Sequence, residues 1–418
     1  MDILEALRPV HRVYQVCNLW HWHLNSHDGQ LQHFRWLEIY SWTVLVAATS
    51  FAAYGLFDNT QLTKVMEVGT AASISNIGHT VDYIQLVGIR VAHAGALLET
   101  LWQRQAQQNF YTELHEIDHQ FSKALNINVV NNQFRRCSIR RAMWMLAGYM
   151  LSQSFILVTK MLGSDHQFPI YWLYYLLPLL ICGMRYYQIF TAVLIIRERL
   201  ELLLQVLQTL RLSGSSDPFG VDSDIGKQCI ATEMNMRAVS ASSLNQLVAV
   251  RQLYQRLWTL ATYLNRSHGL SMLLQVGNDF LAITSNCYWI FLNFRQFVAS
   301  PYDFLQIVAS IVWSAPHLGN VLILALICER TTHCATRLAL SLHQINVDLH
   351  NESHNALITQ FSLQLLHQRL RFSAAGFFNV DCTLLYTIVG ATTTYLIILI
   401  QFHMSETNLE NERSLNGD

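Results

Sequence analysis

Charge is what this sequence has least of. Of its 418 residues only 13% are Asp, Glu, Lys or Arg, where a soluble protein carries about 25%. With 52% hydrophobic residues, that scarcity excludes an ordinary soluble domain. A basic excess is missing as well, since 27 Lys and Arg stand against 28 Asp and Glu. Nucleic-acid binders carry a clear basic surplus, so nucleic acid is set aside as a partner. The eight cysteines (Cys17, Cys137, Cys182, Cys229, Cys287, Cys328, Cys334, Cys382) show no CxxC spacing. Neither a disulfide framework nor a zinc cage is indicated, and no cofactor is expected. The opening MDILEALRPVHRVYQVCNLW lacks a clean apolar core followed by small residues, so the first span is expected to act as its own uncleaved anchor.

What is there is a series of long apolar runs. A bilayer core needs about 20 largely apolar residues per helix. Seven stretches qualify: Trp36–Phe57, Gly69–Leu101, Ala142–Leu162, Phe168–Ile196, Leu270–Phe294, Phe304–Cys328 and Val380–Phe402. The second is interrupted by Asp82 and Arg90. A mean hydropathy of +0.23 is modest, so long polar segments must alternate with the spans. The expected fold class is therefore all-α, a polytopic membrane protein with seven transmembrane helices.

Lys and Arg set the orientation, because cytoplasmic connections hold the excess. They gather before the first span (Arg8, Arg12, Arg35), after the second, after the fourth and after the sixth. The alternate connections and the C-terminal tail hold only Lys64, Lys160, Arg295 and Arg413. The N-terminus is expected in the cytoplasm and the C-terminus outside, the reverse of a G-protein-coupled receptor. The Asp-Arg-Tyr and Asn-Pro-x-x-Tyr motifs of that class are also missing. On this topology the sequons at Asn265 and Asn351 face the cytoplasm and stay unmodified.

The expected organisation follows. Residues 1–35 form a cytoplasmic N-terminal segment, and 36–328 hold spans one to six with amphipathic cytoplasmic helices at 102–141 and 197–268. Residues 329–379 form a further cytoplasmic connection, 380–402 the seventh span and 403–418 an extracellular tail. ELLLQVLQTLRLSG and ASSLNQLVAVRQLYQRLWTLATYLNR repeat apolar residues every three or four positions, the mark of helices packed on one face. RLSGSSDPFGVDSDIGKQ between them is the one clear loop of Gly, Ser and Asp.

On the seventh span, Thr387, Ala391, Thr394, Ile398 and Gln401 form a stripe at helical spacing beside Gly390. Small and hydroxyl residues suit close helix packing or a water-filled path. The turn from Thr394 to Ile398 just before Gln401 favours the path, because an apolar ring beside a polar one can gate by dewetting. One chain has too few such helices to enclose a pore, so several copies would have to converge.

TYLIILIQF, Thr394 to Phe402, resembles the C-terminal signature Thr-Tyr, five hydrophobics, Gln-Phe of the insect gustatory receptor family. FSAAGFFNVDCTLLYTIVG, Phe372 to Gly390, resembles the block preceding it. The resemblance implies a ligand-gated, non-selective cation channel, a homotetramer or a heteromer with related subunits, in the plasma membrane of sensory neurons. It places Gln401 and Phe402 at the gate, Ile398 and Thr394 on the conduction path, and Tyr395 in the signature. The sugar-sensing branch usually has Glu directly after Thr-Tyr, and Leu396 stands there instead. A bitter or other non-sugar tastant is thus the expected ligand.

For the ligand pocket, which the resemblance puts in the outer half of the bundle, Trp172, Tyr175, Asp279, Tyr288, Gln306 and Trp313 are the candidates. Aromatic rings with a few polar groups suit a small-molecule site, although Tyr and Trp also line membrane interfaces. Asp279 is either functional or paired with another polar residue of the spans, since an ionisable group there is costly without a role. Two alternative functions stay open. His115, Glu116 and His119 in HEIDH match the HExxH zinc pattern, giving an integral-membrane protease. The same stretch fits an amphipathic helix with Leu114, Ile117, Phe121 and Leu125 on one face. The other alternative is a non-conducting receptor that signals through cytoplasmic partners.

Overall fold

The computed structural model describes residues 3–24, 31–57, 76–162, 168–214, 228–296, 301–345 and 352–416. Among them run ten helices: α1 Ile3–Val16, α2 Arg35–Phe57, α3 Asn76–Trp102, α4 Arg104–Leu125, α5 Asn131–Leu162, α6 Phe168–Gly214, α7 Gln228–Gln296, α8 Pro301–His343, α9 Glu352–His367 and α10 Cys382–Asn416. Two short hairpins interrupt them, β1 (Trp22–Leu24) with β2 (Leu31–His33) and β3 (Ser373–Ala374) with β4 (Phe378–Asn379). Helices dominate because a chain in hydrocarbon must satisfy each backbone N–H and C=O within its own segment.

Among the described residues five helical stretches are long and apolar enough to cross a bilayer: Thr80–Trp102, Asn131–Thr159, Tyr175–Leu210, Phe304–His343 and Cys382–Glu406. The other two expected spans coincide with α2 and the C-terminal part of α7, and in the latter Asn278 and Asp279 interrupt the apolar run. The expected second span starts at Gly69, outside the described residues, and α3 begins at Asn76. The seventh begins at Cys382 rather than Val380, because the Asp381 carboxylate accepts the Thr383 N–H at 3.0 Å and caps the helix. It also does not stop at Phe402 but continues through the polar residues to Asn416.

Helix length explains the projection from the membrane. At about 1.5 Å per residue, the 47 residues of α6 and the 69 of α7 far exceed a hydrocarbon core of about 30 Å. Along these helices the leucines that recur every three or four positions pack together. Leu200, Leu203 and Leu207 of α6 meet Leu247, Val250, Leu253 and Leu257 of α7, Leu338 and Leu342 of α8, and Phe361 of α9 in one buried cluster. Charged groups tie the same end together: Arg256 on α7 reaches Glu113 on α4 at 3.1 Å, and Arg251 donates to Gln364 on α9 at 2.9 Å.

Inside the apolar bundle, packing rather than the hydrophobic effect selects partners. A Cβ on Gly95 would lie 2.2 Å from Leu274 Cδ1, and one on Gly88 would lie 3.1 Å from Leu281 Cδ1. Both pairs are spaced by seven residues in opposite directions. They set α3 antiparallel and tight against α7.

Candidate functional site

Polar residues drawn into the apolar bundle converge on Asp279, which is 2% exposed. The Tyr186 hydroxyl on α6 donates to its Oδ2 at 2.5 Å, and His317 Nδ1 on α8 lies 2.7 Å from its Oδ1. Facing a carboxylate, which only accepts, that nitrogen is the one carrying hydrogen. One turn from His317, Asn320 donates to the Tyr149 hydroxyl of α5 at 2.6 Å. Four helices thus share one polar centre, and Asp279 has the partner that the sequence left open as its structural alternative. His317, Tyr186 and Asn320 were not singled out from sequence. The signal was there for His317, a titratable residue inside the run VWSAPHLGN.

The aromatic candidates divide. Tyr175 and Trp313 meet edge to face with ring centroids 4.9 Å apart, and the Tyr175 hydroxyl donates to the Gln85 carbonyl at 3.5 Å. Leu86, Ile89, Ala92 and Cys182 pack around Tyr175, and Trp313 closes against them. Tyr288 points elsewhere, its hydroxyl 3.4 Å from His403 Nδ1 on α10. Gln306 is buried on α8. The Trp172 side chain lies outside the described residues. Asp82 accepts the Trp289 indole N–H at 2.7 Å, and the Arg90 guanidinium sits 5.7 Å over the Phe51 ring.

Among the five apolar stretches of the described residues, that of α10 is the least covered by the rest of the chain: 17% of it is buried, against 28% for Asn131–Thr159, 33% for Phe304–His343 and 89% for Tyr175–Leu210. Leu384 and Ile388 are buried, while Thr387, Gly390, Thr394, Ile398, Gln401 and Phe402 are exposed. Contacts to α7 hold it: Phe280 meets Tyr395 edge to face at 5.8 Å, and the Thr284 and Thr392 hydroxyls are 3.4 Å apart. Thr387 and Thr394 donate to the carbonyls of Thr383 and Gly390 at 3.1 and 3.0 Å. Their hydroxyls are therefore satisfied on the helix itself, and the stripe by itself demands no water. Gln401 is different. Its amide is exposed and has no hydrogen-bond partner among the described residues, so it needs water or another copy of the chain.

The HEIDH stretch lies on α4 with His115, Glu116 and His119 exposed and Ile117 buried. Its Asp118 is engaged on the opposite side by Arg199, Nε to Oδ1 at 3.0 Å and Nη2 to Oδ2 at 2.9 Å, with Asn131 joining. Leu114, Ile117 and Phe121 face the core. Among the described residues no group of three or more His, Cys, Asp or Glu is placed to share a metal ion. Outside the spans, His11 on α1 is stacked on Trp20 at 4.3 Å and edge-on to Tyr111 at 5.0 Å, and burial lowers its pKa to about 3.

Comparison with known proteins bears on the whole chain. The profile described as 7tm Chemosensory receptor matches residues 7–406. Gustatory receptor 2a of Drosophila melanogaster is 58% identical, the alignment covering 99% of each chain. The gustatory receptor for bitter taste 66a of the same species is 28% identical over 42% of this chain and 33% of its own. Among solved structures, the olfactory receptor OR5 of the insect Machilis hrabei superposes with a TM-score of 0.63, and with 0.60 in its complex with eugenol. Each match has 10% identity and covers 95% of this chain and 98% of the other. That likeness is one of fold.

Proposed function

The chain belongs to the 7tm chemosensory receptor family, and from that premise we propose that it is a ligand-gated, non-selective cation channel of the gustatory type. It is a multi-pass membrane protein of a chemoreceptor family rather than of an enzyme family. In our reading it crosses the membrane seven times, with the N-terminus inside and the C-terminus outside, in the plasma membrane of sensory neurons. Four subunits, all of this chain or some of related chains, each give α10 to a central axis.

The observation that carries this reading is the bareness of α10. An apolar helix left mostly uncovered by its own chain, with Gln401 unpartnered on the open side, calls for other copies. Grouped around an axis, Thr394 and Ile398 line the path while Gln401 and Phe402 form the rings at the outer mouth. Local aliphatic constriction beside a polar ring is a workable dewetting gate.

The ligand is a small molecule of non-sugar type, bitter or otherwise aversive. Leu396 after the Thr-Tyr pair supports this, as does the partial similarity to a receptor for bitter taste. Its pocket is formed by Tyr175 and Trp313, with Asp279, Trp172, Tyr288 and Gln306 as further candidates. Occupancy reaches the gate through α7, which carries Asp279 and also touches α10 through Phe280 and Thr284.

The test is recording from cells expressing this chain alone, challenged with bitter compounds and sugars, beside Thr394→Ala and Gln401→Ala at matched surface expression. A ligand-evoked cation current whose permeability or gating changes in a variant supports the reading. Evoked current identical in both variants argues against α10 as the pore.

A further inference from the structure

A groove of about 540 Å³ runs along the outside of the bundle between α3 and α7, lined among others by Tyr83, Val87, Gly88, Gly277, Asn278 and Phe280. Its volume falls within the usual range for small-molecule sites, about 300–1,000 Å³. The walls are apolar, and the rim is exposed, with Tyr83 at 41% and Ile84 at 45%. Gly277 helps to open the groove. A Cβ on Gly277 would meet nothing within 4 Å, so the missing side chain there leaves open space rather than a packed contact.

Beneath the groove lies one polar group. Asn278 is 4% exposed. Its Oδ1 is turned toward Gly88, where a Cβ would stand 3.3 Å off, and it has no hydrogen-bond partner among the described residues. A buried acceptor without a donor is costly in an apolar setting. It is answered by a ligand that brings one hydroxyl.

We propose that this groove is a second binding site, entered from the bilayer, for a hydrophobic alcohol whose hydroxyl donates to Asn278 Oδ1. The site is separate from the pocket around Tyr175 and Trp313, and it holds whether or not α10 conducts. Its occupant lies against Phe280, the ring that meets Tyr395 on α10.

The experiment uses the full chain in lipid nanodiscs with a diazirine-bearing fatty alcohol and the methyl ether of the same probe. After photolysis, labelled peptides are mapped by mass spectrometry. The alcohol labels Tyr83–Val91 and Leu273–Leu281, about fivefold more than the ether, the factor expected for one neutral hydrogen bond of about 1 kcal/mol. Gly277→Leu fills the groove and removes the labelling. Gly148→Leu, on α5 where a Cβ likewise meets nothing, leaves it intact. Equal labelling by alcohol and ether, or labelling that survives Gly277→Leu, overturns the proposal. The alcohol–ether comparison is made in the unsubstituted protein, so the outcome stands even if Gly277→Leu fails to fold.

Discussion

Glu99 on α3 and Arg185 on α6 form a fully buried ion pair, Nη2 to Oε2 at 3.0 Å, and the carboxylate also binds two backbone N–H groups in the middle of α7. Its Oε1 accepts the Leu270 N–H at 2.7 Å, and its Oε2 accepts the Ser271 N–H at 2.9 Å and the Ser271 hydroxyl. Arg185 is satisfied in turn by Ser271 Oγ at 3.0 Å and Gln188 Oε1 at 2.9 Å. Gln188 donates onward to the Leu19 carbonyl at 3.3 Å, reaching the N-terminal segment. Removing one partner leaves the other charge buried and alone, which costs about 3–5 kcal/mol. Glu99→Ala and Arg185→Ala each lower thermal stability sharply in detergent. The double change Glu99→Leu with Arg185→Leu is less damaging than either alanine change, because no lone charge remains.

Gly269, next to those two residues on α7, is where that helix meets the lead-in to α10. A Cβ there would stand 2.9 Å from the Ala375 backbone nitrogen and 3.1 Å from its Cα. Ala375 and Gly376, at φ values of 50° and 81°, make the tight turn of the β3–β4 hairpin, closed by Phe377 N–H to the Ala374 carbonyl at 3.0 Å. Asn265 fixes the same hairpin by donating to the Arg371 carbonyl at 2.8 Å and accepting the Ser373 N–H at 3.2 Å. Gly269→Ala must push backbone against backbone, a cost of about 1–3 kcal/mol. It shows as a lower melting temperature, with Gly148→Ala, which meets nothing, unchanged.

His11 gives the N-terminal segment an acid-sensitive dock. Buried between Trp20 and Tyr111, it has a folded pKa of about 3 against an ordinary 6.5. The unfolded chain binds the proton first, so stability is complete above pH 6.5 and is lost as pH falls from there toward 3. At pH 5 the loss is about 2 kcal/mol. Thermal scanning between pH 7.5 and 5 should show a steeper decline for the native chain than for His11→Phe. Parallel declines would remove His11 as the cause.

Asp118 and Glu116, two residues apart, make opposite predictions. Glu116→Gln touches an exposed side chain 4.0 Å from Arg256 and leaves folding and response unchanged, since exposed pairs contribute about 0–1 kcal/mol. Asp118→Ala removes the two-pronged partner of Arg199, which is 1% exposed along its side chain and keeps Glu198 at 3.1 Å and Asn131 at 2.9 Å, and destabilises by about 1–3 kcal/mol. Surface expression and melting temperature read both.

Periodicity in the sequence made the helices and their extensions legible, because apolar stripes persist through 197–214 and 247–268 whether lipid or other helices cover them. The Thr-Tyr to Gln-Phe signature picked out the last helix. What could not be read was pairing across helices. Asp279 stands out alone in sequence, whereas His317 and Tyr186 become its partners only when α6 and α8 are brought against α7. The same holds for Glu99, which sits in the unremarkable string LLETLW and acquires its role from Arg185 and Ser271. The helical course past Phe402 was missed because polarity marks an exit from the membrane, not the end of a helix.

The central claim is that α10 lines a conducting path, and cysteine accessibility during recording tests it most directly. Gln401→Cys is expressed beside the native chain and exposed from outside to a charged thiol reagent while ligand-evoked current is measured. The account predicts rapid, irreversible block of the Gln401→Cys current, with the native chain, whose own cysteines remain, unaffected. Evoked current that persists unchanged in Gln401→Cys after the thiol is shown to be modified would contradict it.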